Sequence, residues 1–559
     1  MSEAQHTRLK RTLVSAKVRL NSFKLSGKLS VNYLTRAEPR SPFVRDATGL
    51  VRELSSLDVF VWTIIYFPWL TSWAGIFWVT PSYYQNVNYY AGLALWAVIA
   101  VVIVLLYWQV TVVMPRSGGD YVFISRSLSG PVGFVASFLF FVAVLTSAGA
   151  NSYWAFAESG TQLSFAGQVL NAPSITSLGT YITPWTTPAP MTLFLIGVGI
   201  QMVGTVAIII GSRVFRTIVY SFFIYGLLVM LLSAAVFISH TPGDFTAAYA
   251  QYFSGGVSSV FSNAAAKGYT PGATLANLSA IVPLLFVSIG PYPVMQMVAG
   301  EIKNPRRSLL YGLVLAEVVS IVVWFGLTLI FDHVVGISFL EAWTVTVGAG
   351  SSTVPTVFVT LLEPNSLLLW IIVVGLFIGN IGWGWLGIVF LSRLFMSWAF
   401  DRTVPTVLAS VSDRYHTPYL AVGLAAALTI LPMYLSFFVS FITAQINLVF
   451  LFSVVWLLTA VSAVLLPFRR RAMFEAAAWK PRVGGVPVLS ILGVLGACLF
   501  AYLAYNSVTN PAIGPFTFGA QATIVIVTII PIVIYAASHY YNKSRGLDLG
   551  KVMAQVPPE

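Results

Sequence analysis

The stretch FVSIGPYPVMQMVAGEIKNPRR, residues 286–307, contains the feature that decides the fold. It continues an apolar run that begins at Ala280, and inside that run Gly290, Pro291 and Pro293 interrupt the helix. Proline removes a backbone donor and clashes with the preceding turn, and glycine costs helix stability. In lipid, the freed carbonyls and amides need partners from protein, water or a ligand. The stretch therefore predicts a broken membrane helix whose backbone forms part of a buried polar site.

The composition of the whole chain places this run in a membrane. The sequence has 559 residues, of which 57% are hydrophobic and 9% charged, and its mean hydropathy is +0.84. Soluble proteins carry about 25% charged residues, so a water-soluble enzyme of several domains is excluded. The single cysteine, Cys498, excludes an intramolecular disulfide and a cysteine-based metal cluster.

Apolar runs of membrane-spanning length recur along the chain. A helix needs about 20 mainly apolar residues to cross the hydrocarbon core. The sequence therefore predicts an all-α polytopic membrane protein with twelve spans: Leu57–Val79, Tyr90–Val113, Pro131–Glu158, Met191–Ile210, Thr217–Ile238, Ala280–Ala299, Leu310–Phe331, Leu368–Phe395, Leu420–Val439, Ile446–Leu466, Leu489–Tyr505 and Ala520–Tyr540.

The distribution of basic residues predicts the orientation. Of the 30 Lys and Arg residues, all except Lys267 fall in loops or tails on one side of the predicted spans. Cytoplasmic loops are enriched in Lys and Arg, so we expect both termini in the cytoplasm. Residues 1–55 are predicted to be a basic cytosolic N-terminal tail, and residues 542–559 a cytosolic C-terminal tail. The net charge of +12 therefore indicates membrane lipids as partners rather than nucleic acid.

Predicted span one carries a second interruption. It contains Pro68, followed by SWAGIF at residues 72–77. Two broken helices in corresponding positions, five spans apart, are typical of transporters built from inverted repeats, with a substrate site near the middle of the membrane. The alternative interpretation is a pair of proline kinks in a channel or receptor.

Three cytosolic segments resemble those of a known family. AGEIKNPRRS at residues 299–308 resembles the glutamate–hydrophobic–lysine–asparagine–proline–arginine segment of the amino acid–polyamine–organocation (APC) transporter superfamily. PRSGGDYVFISR at residues 115–126 is similar to that family's loop between spans two and three. SRLF at residues 392–395, with FDRTVP at residues 400–405, is similar to its exit from span eight. The resemblance covers residues 50–470.

The resemblance implies a leucine-transporter-type fold of twelve transmembrane helices, with a 5+5 inverted repeat and broken helices one and six. Its ten-helix transporter core would be residues 56–470, with repeats over residues 56–240 and 279–470. Helices eleven and twelve would occupy residues 471–541. The implied function is secondary-active transport of amino acids, or of related small amines, across the plasma membrane by alternating access.

The family also implies where the substrate binds. Its carboxylate lies on amides exposed in span one, and its amino group lies on carbonyls exposed in span six, as helix-terminus electrostatics favours. In span one, Trp73 stands where the family has glycine, and it either narrows the pocket or turns away and packs. By this resemblance, the residues of the two breaks bind the substrate: Trp73, Ala74, Gly75, Ile76, Val287, Ser288, Ile289, Gly290 and Tyr292.

The charges of the breaks bear on the substrate class. No carboxylate lies within either break, which disfavours a polycationic substrate. A zwitterionic amino acid is therefore the leading substrate, and charge-neutral or small organic-amine substrates are the alternatives.

Two acidic residues stand in otherwise basic cytosolic loops. Asp120 and Glu301 could form ion pairs with Arg126, Arg306 or Arg307 that hold a cytosolic gate closed. Exposed ion pairs each contribute only about 0–1 kcal/mol to stability, so a gate held by them could open readily. The alternative is that these charges only fix the topology.

Glu317 is the only acidic residue well inside a predicted span, because we expect Glu158 to end span three at the outer interface. Ionisable groups at such depth are costly and usually face a cavity or a partner. Glu317 therefore either binds a coupling proton or hydrogen-bonds a neighbouring helix without titrating.

Other function classes fit these features less well. An intramembrane enzyme needs a nucleophile–base or metal constellation, and none of the five histidines lies in the middle of a predicted span. We therefore expect no enzyme activity, no metal and no cofactor. A channel would leave the paired breaks and the three segments unexplained. Two alternatives stay open: a non-transporting amino-acid sensor on the same fold, and a permease for a non-amino-acid organic amine.

Overall fold

Helices make up nearly all of the regular structure. The computed structural model describes residues 49–73, 85–184, 190–275, 278–290, 293–347, 355–439, 442–509, 518–553 and 555. The strands in these ranges are those of a short antiparallel hairpin, β1 (Arg482–Val483) and β2 (Val486–Pro487).

The described helices, in chain order, are α1 (Ser56–Tyr66), α2 (Tyr89–Val113), α3 (Asp120–Ser127), α4 (Gly130–Val169), α5 (Pro173–Ile182), α6 (Met191–Ile210), α7 (Ser212–Ser239), α8 (Pro242–Tyr252), α9 (Gly256–Ala266), α10 (Leu278–Ile289), α11 (Pro305–Val334), α12 (Ile337–Val347), α13 (Thr356–Leu362), α14 (Ser366–Phe400), α15 (Tyr419–Phe438), α16 (Ile442–Arg469), α17 (Arg471–Ala476), α18 (Val488–Thr509), α19 (Phe518–Ser544) and α20 (Leu549–Met553). Two 3₁₀ segments, Met295–Glu301 and Thr406–Ala409, lie between them.

Within the described residues, ten helices are long and apolar enough to cross a membrane. They are α2, α4, α6, α7, α11, α14, α15, α16, α18 and α19, which overlap predicted spans two to five and seven to twelve. The prediction of an all-α polytopic membrane protein is therefore confirmed.

The two remaining predicted spans contain the short helices α1 and α10. Phe67 leaves helical geometry (φ −135°, ψ 76°) before Pro68, and helix resumes over residues 69–73. α10 ends at Ile289, and Gly290 takes a φ of +69°, which side chains other than glycine rarely adopt. The described parts of both spans are thus interrupted, while residues 74–77 of the predicted break lie outside the described ranges.

Side-chain caps begin two of the helices that flank the site. Ser55 caps α1: its hydroxyl accepts the Asp58 N–H at 3.2 Å, and the Asp58 carboxylate accepts the Ser55 N–H at 2.7 Å. Asn365 caps α14 by accepting the Leu367 N–H at 2.8 Å. Each cap satisfies backbone donors that a helix N-terminus leaves without intrahelical partners.

Small residues let the central helices approach closely. α4 packs against both α14 and α15. A Cβ added at Gly149 of α4 would lie 2.6 Å from the carbonyl oxygen of Thr429, and one added at Gly387 of α14 would lie 2.8 Å from the Ala148 Cβ. Membrane helices associate through such close backbone contacts.

Predicted span three is longer than expected. The sequence ends it at Glu158, but α4 runs for 40 residues, from Gly130 to Val169. The expected end of span three at Glu158 is therefore wrong, because α4 continues beyond it to Val169. The prediction failed because an apolar run was ended at its first charged residue.

Candidate functional site

Residues around the two helix breaks form the first part of the site. Trp73 is fully buried, and its indole packs edge-on against Phe237 of α7 and Phe331 of α11, with ring centroids 6.0 and 6.3 Å away. This placement matches the interpretation in which Trp73 turns to pack. Four of the predicted binding residues lie outside the described residues: Ala74, Gly75, Ile76 and Tyr292.

The end of α10 presents backbone carbonyls. Val287, Ser288 and Ile289 form its last residues, before the left-handed Gly290. The last four carbonyls of a helix have no intrahelical partner, and the negative end of the helix dipole lies there. Such an end can bind an ammonium group.

Glu317 lies on the face of α11 that contacts span one, the first interrupted helix. It is 5% exposed, and in the described part of the structure its Oε1 has no hydrogen-bond partner. Ser320, three residues later on the same face, accepts a hydrogen bond from the Trp69 indole N–H at 2.7 Å. A π-helical turn at Leu310–Val314 precedes Glu317, and such turns are frequent at functional sites.

On the side predicted to be cytosolic, Glu301 forms a bidentate ion pair with Arg393 of α14. The guanidinium Nε and a terminal nitrogen donate to the two carboxylate oxygens at 2.8 and 2.9 Å. The backbone adds a second contact, because the Leu54 N–H donates to the Glu301 carbonyl at 2.9 Å and the Lys303 N–H donates to the Leu54 carbonyl at 2.8 Å. The segment before α1 is thus held to the segment after α10.

The expected partners of Glu301 were therefore wrong. Arg306 stacks on the Trp479 ring at 4.1 Å, and Arg307 lies over Tyr311 at 6.0 Å. Both arginines follow Glu301 along the chain, and residues 302–304 direct α11 away from it. The partner comes instead from a distant helix.

Asp120 also has partners other than the arginine that the sequence predicted. It is fully buried and accepts hydrogen bonds from the hydroxyls of Tyr107 at 2.7 Å and Thr459 at 2.6 Å, and from the Gln296 amide at 3.2 Å. Burial raises the pKa of its carboxyl. Asp120 therefore joins α3 to α2, α16 and the 3₁₀ segment, and the expected pairing with Arg126 is wrong.

Arg126 binds Asp401 instead. Its two terminal nitrogens donate to the two Asp401 oxygens at 2.6 and 2.8 Å, and the Tyr121 hydroxyl donates to the same carboxylate at 2.6 Å. Both side chains are fully buried. The pair fastens α3 to the C-terminal end of α14.

A further ion-pair group fastens α1 to α7. Arg216 lies 3.4 Å from the carboxylate of Asp58 and 3.3 Å from that of Glu53. The Tyr220 hydroxyl also donates to Asp58, at 3.1 Å. The candidate site thus consists of two interrupted helices, a buried carboxylate beside one of them, and ion pairs at the ends predicted to be cytosolic.

A family comparison agrees with this geometry. The Amino acid permease family model matches residues 60–537. The chain belongs to this amino acid permease family. No curated protein matches it significantly. The permease is thus an integral membrane protein of a family that transports amino acids, and its family is one of transporters rather than enzymes.

On the opposite side of the permease, Glu341 of α12 joins three segments. Its carboxylate accepts the Asn86 N–H at 2.9 Å and the Tyr269 hydroxyl at 2.9 Å, and it is 1% exposed. α12 belongs to the connection between α11 and α14. Burial raises the pKa of Glu341 to about 7.

Replacing Glu341 by glutamine should flatten the pH dependence of stability. Between pH 4.5, the ordinary pKa of a glutamate, and about pH 7, its pKa in the folded permease, the folded protein keeps this carboxyl protonated while the unfolded chain ionises it. Stability therefore falls as pH rises through this window. We expect the apparent Tm of the wild type to decrease from pH 5 to pH 7 more than that of Glu341→Gln. The exposed Glu363→Gln is the control, and equal pH slopes for all three proteins would contradict the prediction.

Several site residues escaped the sequence reasoning. Asp58 and Asp401 lie at helix ends and Arg393 lies in the last turns of α14, and none of the three was predicted to belong to the site. Asp401 and Arg393 lie in the segments that carry the family resemblance, which is the one feature that singled them out.

Proposed function

We propose that this permease is a secondary-active transporter that moves amino acids, or related small amines, across the plasma membrane by alternating access. The observation that carries the proposal is the pair of interrupted helices in contact: α1, which ends before Pro68, packs against the 3₁₀ segment that follows the break at Gly290. Broken helices that meet within a bundle are the usual substrate site of such transporters. The basic loops favour an orientation with both termini in the cytoplasm.

The helix contacts support two related repeats. Let α1, α2, α4, α6 and α7 be helices one to five, and α10, α11, α14, α15 and α16 helices six to ten. Exchanging each number for the one five away reproduces several of the helix contacts. Helix one packs against helix seven, and helix six packs against helix two in the same way. Helix three packs against helices nine and ten, and helix eight correspondingly packs against helices four and five. Helix one also packs against helix five, as helix six does against helix ten. This pattern favours a 5+5 inverted repeat, followed by α18 and α19 as spans eleven and twelve.

The substrate would bind between the breaks. Its ammonium group would lie on the carbonyls of Val287, Ser288 and Ile289, and its carboxylate on the amides of residues 73–76. The first part rests on the end of α10 at Gly290, and the second on the family resemblance. Backbone groups of this kind recognise features that all amino acids share.

The cytosolic ion pairs would form the inner gate. Glu301–Arg393 ties the segment after α10 to α14, and Asp58–Arg216 ties α1 to α7. Opening to the cytosol requires the interrupted helices to move away from α7 and α14, so both contacts would break. Arg126, Asp120, Arg306 and Arg307 would hold the surrounding cytosolic segments in place.

Glu317 would carry a coupling proton. Its buried carboxyl with an unsatisfied oxygen lies beside span one. We expect Glu317→Gln to abolish amino-acid uptake driven by a pH gradient while preserving exchange, because glutamine keeps the shape but cannot release a proton. Proteoliposome uptake with and without a pH gradient measures this, with the exposed Asp244→Asn as control. Unchanged accumulation in Glu317→Gln would leave Glu317 as structural.

Ligand binding tests the substrate class. A ligand that prefers the folded state raises the apparent Tm, so the purified permease should be stabilised by a subset of amino acids. Stabilisation by simple organic amines alone would favour an amine permease. Stabilisation by no amino acid would contradict the proposal.

A further inference from the structure

Glu158 occupies an unusual position inside α4. Its neighbours Ala157 and Ser159 are buried, yet Glu158 itself keeps accessible surface. α4 continues to Val169, which lies about 16 Å further along at 1.5 Å per residue. Its carboxylate contacts Asn380, which lies in the middle of α14, so Glu158 faces the inside of the helix bundle.

This carboxylate has one hydrogen-bond donor and no counter-ion in the described part of the chain. The Asn380 amide of α14 donates to Glu158 Oε2 at 2.9 Å and also to the Leu376 carbonyl at 3.1 Å. None of the ion pairs among the described residues includes Glu158. A carboxylate in such surroundings carries its charge at a high cost unless a cation pairs with it.

The turn of α14 that holds Asn380 lies against the break in span one. A Cβ added at Gly379 would lie 3.2 Å from the Thr71 Cγ2 and 3.5 Å from the Pro68 Cβ. Asn380 is thus one residue away from a direct contact with the interrupted helix. Glu158 belongs to the surroundings of the proposed substrate site.

Aromatic rings complete these surroundings. Trp383 lies three residues after Asn380, on the same face of α14. Its ring centroid is 4.9 Å from that of Phe67 and 5.9 Å from that of Tyr66. Aromatic faces attract cations, and these rings lie beside the same stretch of α14 that carries Asn380, the partner of Glu158.

We propose that Glu158 binds a second cationic group of the substrate, so that the permease prefers amino acids with a positively charged side chain. This inference rests on the proposed function and names the substrate class of the same site. Neither break carries a carboxylate, which disfavoured such substrates from the sequence; span three supplies one. A cationic ligand would stabilise the ionised form of this buried carboxyl, and the Asn380 N–H, which donates to Glu158, would add to that effect.

Lysine and norleucine test this proposal because they differ mainly in the side-chain ammonium group. We expect the wild-type permease to bind lysine at least tenfold more tightly than norleucine. Glu158→Gln should weaken lysine binding at least tenfold and change norleucine binding less than threefold. Glu158→Asp, which keeps the charge, should retain part of the preference, and the cytosolic Glu475→Gln should retain all of it. Thermal-shift titration gives the affinities, and proteoliposome exchange gives transport.

The outcomes separate this inference from the proposed function. Exchange of norleucine without any preference for lysine would overturn the inference and leave transport standing. Glu158-dependent lysine binding without exchange would support the inference and contradict transport. If Glu158→Gln does not fold, Glu158→Asp and Asn380→Ala take its place, and an unchanged lysine preference in both would overturn the inference.

Discussion

Replacing Asp401 by alanine is expected to lower the free energy of unfolding of the permease by about 3–5 kcal/mol, because it leaves Arg126 buried without its partner. Both side chains are fully buried and joined by two hydrogen bonds of 2.6 and 2.8 Å. The Tyr121 hydroxyl loses its acceptor as well. Denaturation of the purified protein in detergent measures the change.

Asp413→Ala is the matched control for this measurement. Asp413 follows the same cytosolic connection and is exposed, so its removal should change stability by less than about 0.5 kcal/mol. Equal stabilities of the Asp401 and Asp413 variants would show that the buried pair does not hold α3 to α14.

Replacing Glu301 by glutamine is expected to open the cytosolic side. Hydrogen bonds to charged groups contribute about 1.5–3 kcal/mol, which corresponds to a roughly 10- to 150-fold larger open population if the pair exists only in the closed state. Val389 lies one turn from Arg393 on α14 and is 1% exposed, so a cysteine there reports access from the cytosol. The background would carry Cys498→Ser.

The rate of thiol labelling in inside-out vesicles measures this opening. We expect Val389→Cys to react at least tenfold faster when Glu301→Gln is also present. Lys480→Gln, which removes an exposed pair with Glu475, should leave the rate unchanged. Equal labelling rates with and without Glu301→Gln would contradict a gate at this pair.

The helix break at Gly290 was predictable because glycine and proline act through the backbone itself. A missing N–H or a left-handed φ has the same consequence in any tertiary surroundings. The ten long helices were predictable for a similar reason, since the membrane sets their length. The twelve spans and the inverted repeat remain proposals that the packing of α1 and α10 supports.

The partners of charged residues were not predictable from the sequence. Glu301 pairs with Arg393 and Arg126 with Asp401, so each partner comes from a helix distant in the chain. The expected partners were near in sequence, and only the packing of α14 against α3 and the 3₁₀ segment brings the true ones into reach.

The position of Glu158 within α4 was also not predictable from the sequence. A run of apolar residues was taken to end at the first carboxylate, but a helix within a protein bundle continues where neighbouring helices satisfy polar groups. The Asn380 side chain that does so lies on α14. The sequence also left two orientations for the Trp73 indole. The rings it packs against, Phe237 and Phe331, belong to other helices, so their contact with Trp73 depends on the tertiary packing.

Solute counterflow tests the central claim most directly. Proteoliposomes containing the permease are loaded with the unlabelled amino acid that gives the largest thermal shift, and are then diluted into a trace of the labelled form. A transporter with alternating access predicts transient accumulation of label above the level in protein-free liposomes. Binding of that amino acid without any counterflow would contradict transport and would identify the protein as a sensor on a transporter fold.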